Sequence, residues 1–164
     1  CCSHTGKKTT MDVIEYANQP VIFSHSNPNG AWQHKRNIDD DVIKACAETG
    51  GVIGLNGIGI FLGNNEASVE NIVRHIDYVV QLVGADHAGL GLDYVFDQQE
   101  IFDFVKENPQ IFPEEDGYAD GINMMPPSTT PYIIESLLKL GYKDEDVIKI
   151  MGGNHYRIAK QVWK

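Results

Sequence analysis

No stretch of this 164-residue chain stays apolar for the roughly 20 residues that a membrane-spanning helix needs, and no basic, apolar and small-residue series marks a secretory signal. The chain opens on Cys1 rather than Met and its first residues read as the interior of a strand, so the missing signal carries no weight. Cations are scarce: 13 Lys and Arg stand against 23 Asp and Glu, a net charge of −10. Nucleic acid and anionic membranes are therefore poor partners, because both demand basic patches. Cysteine is scarce as well. Cys1, Cys2 and Cys46 are odd in number and show no C-x-x-C spacing, which argues against a disulfide framework or a zinc ribbon and makes a reducing cytoplasm the expected compartment. A G-x-S-x-G elbow is also lacking, and strand alternation places Ser24 on the face opposite His25, so the pattern of a serine hydrolase is not met.

What is present is an ordinary globular composition, 42% apolar and 22% charged, enough for one domain with a sizeable core. Short apolar runs alternate with helical patterns, the arrangement of parallel βα units. Strands are expected to begin near residues 1, 21, 51 and 87. Helices are expected over 9–18, capped by Thr9 and Thr10, after Asp39–Asp41, from Ser68 to Gly84, over 131–140, and from Asp144 to a break at Gly152 and Gly153. The stretch 97–127, rich in Pro, Gly, Asn and acids, reads as a long irregular loop with a short apolar helix near 101–106; a connection of that length is usually functional or mobile. Four units in 164 residues match the roughly 31 residues per unit of an eight-unit barrel, so the length fits half of one.

Two histidines, His4 and His25, each fall at the C-terminal end of an expected strand, where a barrel enzyme keeps its metal. Neutral imidazole is a preferred zinc ligand, and neighbouring parallel strands lie about 4.8 Å apart, close enough for two ligands to share an ion. Alternation puts Val21, Phe23 and His25 on one inward face, and likewise Gly89, Gly91 and Asp93, whose glycines would leave space above for a substrate or metal. Asp93 is thereby placed as a general acid or base. Asp97 reads as a second acid in the pocket or a solvated loop residue. His34 and Lys35 carry no specific claim, His75 on the polar side of its helix and His87 before a strand read as structural or surface residues, and His155 as packing near the C-terminus. The glycines of Gly57-x-Gly59-x-x-x-Gly63 end too far before the helix at Ser68 to place a pyrophosphate on it.

The segments around His4 and His25, the run PVIFSHSNPNGAWQHKRN at 20–37 and HAGLGLD at 87–93 resemble the C-terminal half of the membrane (renal-type) dipeptidases, zinc peptidases of family M19. The resemblance implies an α/β fold comprising strands five to eight of a metal-dependent-hydrolase (β/α)8 TIM-type barrel, with residues 1–164 as one partial domain. It implies that His4 and His25 bind one zinc of a two-zinc site, that Arg36 holds the dipeptide carboxylate, and that Asp93 contacts the substrate amine and handles the proton. The family's His-x-Asp pair and bridging glutamate belong to strands that precede these. The chain alone is therefore expected to bind zinc weakly, to be inactive, and to pair with its missing half or form a homodimer through open strand edges. Leu92-Asp93-Tyr94-Val95-Phe96-Asp97 replaces the more usual Gly-Asp-Phe-Asp-Gly turn, which leaves side-chain preference open. Two other readings stand beside the dipeptidase: a non-catalytic barrel acting as an accessory or binding protein, and another metal-dependent amidohydrolase.

Overall fold

A computed structural model describes residues 1–119 and 121–163. Three parallel strands, β1 (Ile22–Phe23), β2 (Val52–Leu55) and β3 (Ala88–Leu90), pair in that order, with Ile22 opposite Val52 and Gly54 opposite Gly89. The connections are helical: α1 (Lys7–Tyr16) precedes β1, α2 (Asp40–Glu48) joins β1 to β2, and α3 (Gly59–Leu62) with α4 (Val69–Val83) joins β2 to β3. After β3 come α5 (Gln98–Glu107), α6 (Thr130–Lys139), α7 (Asp144–Ile148) and α8 (Asn154–Val162). No helix among the described residues is long and apolar enough to cross a membrane.

All four residues of β2 are buried, as befits the centre of a parallel sheet covered on both faces. Phe23, Ile53 and Leu55 form one face and pack with Val42, Ile43 and Cys46 of α2, Ile72, Ile76 and Val79 of α4, and Ile133 and Leu137 of α6. Ser68 caps α4 by accepting the Asn71 N–H, and Gly84 ends it. α1 begins two residues before the threonines expected to cap it: Gly6 is its N-cap, and Thr10 is buried with its hydroxyl on the Thr5 carbonyl. The chain swings from α7 into α8 through a widened turn at Gly152, whose φ of +152° only glycine adopts readily. Asn154 then donates to the Ala85 and Ala88 carbonyls, tying α8 beneath β3.

Several expectations are corrected. The segment around Cys2 forms no strand; one backbone bond joins Cys2 N–H to the Ile22 carbonyl, and the chain leaves extended geometry at His4, where φ is +64°. Phe23 faces the helices, because it pairs with Ile53, rather than the inner face. The inner face belongs to Val52, Gly54, Gly89 and Gly91, and its glycines admit the chain, not a ligand: a Cβ on Gly91 would lie 1.8 Å from the Ser24 carbonyl oxygen and one on Gly89 2.4 Å from the His155 ring. Residues 97–127 carry the ten-residue α5, longer than the short helix read there. His75 is not on a polar face. It falls in the stripe of Ile72, Ile76 and Val79, fully buried, with Nε2 donating to the Leu62 carbonyl and Nδ1 left without a partner among the described residues.

Burial pushes the His75 imidazole down to about 4 from 6.5. The unfolded chain therefore takes up this proton first, so the stability His75 secures is complete above pH 6.5 and is lost as pH falls toward 4. Urea unfolding is expected to show roughly 2 kcal/mol less stability at pH 5 than at pH 7.5 from this residue. A His75→Gln variant, which keeps a donor for Leu62, should lack that share; equal pH slopes in the two proteins would refute the assignment.

Candidate functional site

Parallel strands bring all their C-terminal ends to one edge of the sheet, and the polar residues that follow β1, β2 and β3 gather there. Two buried amides hold this edge together. Asn27 Nδ2 donates to the Asn56 carbonyl and its Oδ1 accepts the Asn56 N–H, which locks the chain after β1 to the chain after β2. The Asn56 side chain accepts from Ile58 N–H and donates from Nδ2 to Asp93 Oδ2 at 3.0 Å, so the end of β3 joins the same series. Asn27 and Asn56 are essentially inaccessible to solvent, and each satisfied bond avoids the cost of an unpaired buried group.

His4 and His25 meet at this edge. Their Nε2 atoms are 2.8 Å apart and the rings stand at 61°. Arg36 Nη2 lies 3.0 Å from His4 Nε2, so three of the four expected residues form one group. His25 arrives because β1 stops at Phe23 and the chain bends; its Nδ1 sits 2.8 Å from Ser24 Oγ, and its N–H donates to Ser3 Oγ. Ser24 thus contacts His25 instead of pointing to an opposite face. Burial and the nearby Arg36 charge lower the His4 pKa, with Asp93 opposing them, which favours a neutral imidazole. Arg36 is half-buried, its guanidinium carbon 5.3 Å from the Phe61 ring centre; burial lowers its pKa while Tyr118 and Asp93 raise it, and guanidinium stays charged at any ordinary pH. A cavity of about 360 Å³ opens beside them, lined by His4, Lys7, His34, Lys35 and Arg36.

Asp93 forms no direct bond with that group among the described residues, but it shares an uncommon backbone with it. Among the described residues four non-glycine positions have positive φ: His4, Asn64, Asn65 and Asp93. Such strained positions cluster at sites where a side chain must be aimed, and two of the four are candidate site residues. Asp97 is no second acid: its Oδ1 caps α5 by accepting the Glu100 N–H. His87 Nδ1 donates to the Gly51 carbonyl, 2.8 Å away, and His155 packs on Gly89, both as structural residues.

For a metal the donor chemistry fits in part. Two imidazole nitrogens converge with no carbon between them, and opening the pair by about half an ångström would match two nitrogens of a tetrahedral zinc. No group of three or more His, Cys, Asp or Glu side chains among the described residues is arranged to hold a metal. Sequence reasoning overlooked Asn27, Asn56, Ser3 and the contacts of Ser24 and His34. The signal for Asn56 was its position, directly after the last residue of a fully buried strand.

Comparison with known proteins identifies the family. The family model "Membrane dipeptidase (Peptidase family M19)" matches residues 2–112. The chain is 31% identical over 163 residues to dipeptidase tcpJ of Claviceps purpurea, covering 98% of this chain and 33% of that protein. Among solved structures it resembles an amidohydrolase from Pseudomonas aeruginosa with a TM-score of 0.82 and 30% identity, over 98% of this chain and 51% of that one. It also shares the fold of a metallopeptidase from Rhodobacter sphaeroides liganded with a phosphinate mimic of the dipeptide L-Ala-D-Ala, with a TM-score of 0.73, 23% identity, and 98% and 41% coverage. The chain spans about half the length of one curated relative and about a third of two others.

The amide series supports a direct test. Asn56→Ala strips Ile58 N–H and Asp93 of their partners and is expected to cost about 2 kcal/mol in urea unfolding. A loss below roughly 0.5 kcal/mol would show that the series does not hold the site edge together.

Proposed function

We propose, from the premise that this chain belongs to the membrane dipeptidase family, peptidase family M19, that it contributes the substrate-carboxylate grip and two metal-binding imidazoles of a zinc-dependent dipeptidase. The observation that carries this reading is the meeting of His4 Nε2, His25 Nε2 and Arg36 at the C-terminal edge of parallel strands. In the same reading the three strands are the sixth to eighth of a (β/α)8 barrel, and the Cys2 segment takes the place of the fifth.

His4 and His25 are the residues that would hold zinc, which when bound would polarise the scissile carbonyl and lower the pKa of water. Arg36 offers the substrate carboxylate two parallel N–H bonds from a planar fork, and its half-buried position strengthens that charge-assisted pairing. Asp93, steadied by Asn56 Nδ2, receives the substrate amine. As water oxygen adds to the carbonyl carbon and the C–N bond breaks, Asp93 takes the water proton and passes it to the departing nitrogen. Two imidazoles are too few for tight zinc binding, so the complete site of about two zincs needs ligands beyond those described here, and these residues alone should turn over dipeptides poorly. Unsatisfied strand edges favour pairing with another copy or with the rest of a barrel.

The test uses the intact gene product. Zinc analysis should find about two ions per chain, and hydrolysis of a simple dipeptide should stop on chelation. Arg36→Ala should raise KM by roughly tenfold or more, the loss expected for a charge-assisted carboxylate contact. An unchanged KM would transfer the assignment to an amidohydrolase whose substrate lacks that carboxylate. Metal-free protein without turnover would favour a non-catalytic barrel.

A further inference from the structure

Arg36 sits on residues 29–37, a segment without strand or helix that Asn37 ties to the Phe61 carbonyl and Lys35 to Asp116, and one further side chain reaches the Arg36 backbone itself. His34 Nδ1 accepts the Arg36 backbone N–H at 3.1 Å, and His34 Nε2 lies 3.0 Å from the Asp116 carbonyl, 82 positions along the chain. The ring also packs on Phe61, with centres 4.9 Å apart, the same ring that Arg36 covers at 5.3 Å. Asn29 Oδ1 accepts the His34 N–H and fixes its backbone. The two ring nitrogens meet opposite partners, a donor at Nδ1 and an acceptor at Nε2, and only the neutral ring with its hydrogen on Nε2 satisfies both. A second proton, on Nδ1, would confront the Arg36 N–H.

We infer that His34 is a positioning residue for Arg36, clamping the carboxylate-binding segment to residues 113–118 in its neutral form and releasing it on protonation. The inference rests on the reading of Arg36 as the carboxylate grip, but the clamp itself is testable without substrate or metal. The charged groups facing it are Lys35 and Arg36 on its own segment, Glu115, Asp116 and Tyr118 on the clamped one, and His4, Lys7 and Asp39 across the cavity. Lys35 Nζ pairs with Asp116 Oδ1 at 2.7 Å, but Lys35 is exposed, so this ion pair adds little beside the ring.

The experiment is amide and imidazole nitrogen NMR of the whole chain from pH 8 to 5. The His34 ring should show a single neutral form with hydrogen on Nε2. The amides of Arg36, Asp116 and Gly117 should shift together with the His34 midpoint. His34→Phe, which keeps an aromatic ring against Phe61, should abolish that common titration and speed hydrogen exchange at Asp116 and Gly117 by roughly five- to tenfold, the effect of one lost hydrogen bond. Lys35→Met should leave the common titration in place. Amides that ignore the His34 midpoint, or exchange unchanged in His34→Phe, would overturn the inference. Should His34→Phe fail to fold, the wild-type co-titration and the ring form decide it alone. Failure of Arg36→Ala to raise KM with the clamp intact would count against the carboxylate reading and not against the clamp.

Discussion

The close approach of three chain ends over the inner face of β2 is the constraint on which the site depends. Gly54 and Gly91 leave no side chain between the Ser24 carbonyl and the strands beside it, and a methyl group at Gly91 would occupy the carbonyl's own position. That proximity buries backbone polar groups where water cannot serve them. Asn27 and Asn56 answer by bonding to each other's segments, and Asp93 is drawn into the same series. The candidate site is therefore the polar finish of a tightly packed sheet, and its geometry is set by packing before any chemistry begins.

Charge is distributed against the average of the chain. A molecule with ten excess negative charges gathers Lys7, Lys35 and Arg36 with His4 and His34 around one cavity. Lys7 is neutralised by Asp39 and Asp41, and Lys35 by Asp116, whereas Arg36 meets an imidazole and an aromatic face and makes no ion pair among the described residues. Among the described residues the half-buried guanidinium is thus the cation of this cavity left without a carboxylate partner.

Residue patterns disclosed the helices with strong caps and stripes: Ser68 and Gly84 bound α4 where the sequence places them, and Asp144 opens α7. They singled out His4, His25 and Arg36, which lie in one group in the structure. Alternation misled at β1, because the strand is only two residues long and bends at once, so its parity does not reach His25. It misled again at the glycines, since a missing side chain signals close approach without saying what approaches. His75 was readable in hindsight from its spacing to Ile72, Ile76 and Val79; its polarity concealed it. The bonds of His34 to a carbonyl 82 residues away are tertiary facts that no local pattern carries.

Support for the site comes in two tiers that differ in kind. His25 and Asp93 are held from the sheet, through Ser3, Ser24 and Asn56, within a few residues of strands that belong to the buried core. Arg36 is held both from the sheet side, where Ile38 N–H donates to the Asn27 carbonyl and Asn37 Nδ2 to the Phe61 carbonyl, and by a histidine that reaches a short turn between α5 and α6. A buried amide has no charge state to lose near neutral pH, so the Asn27 and Asn56 bonds persist across that range. An imidazole bonded as both donor and acceptor does have one. The amide series at the strand ends is thereby independent of any proton near neutrality, while the two His34 bonds beside Arg36 depend on which ring nitrogen carries one.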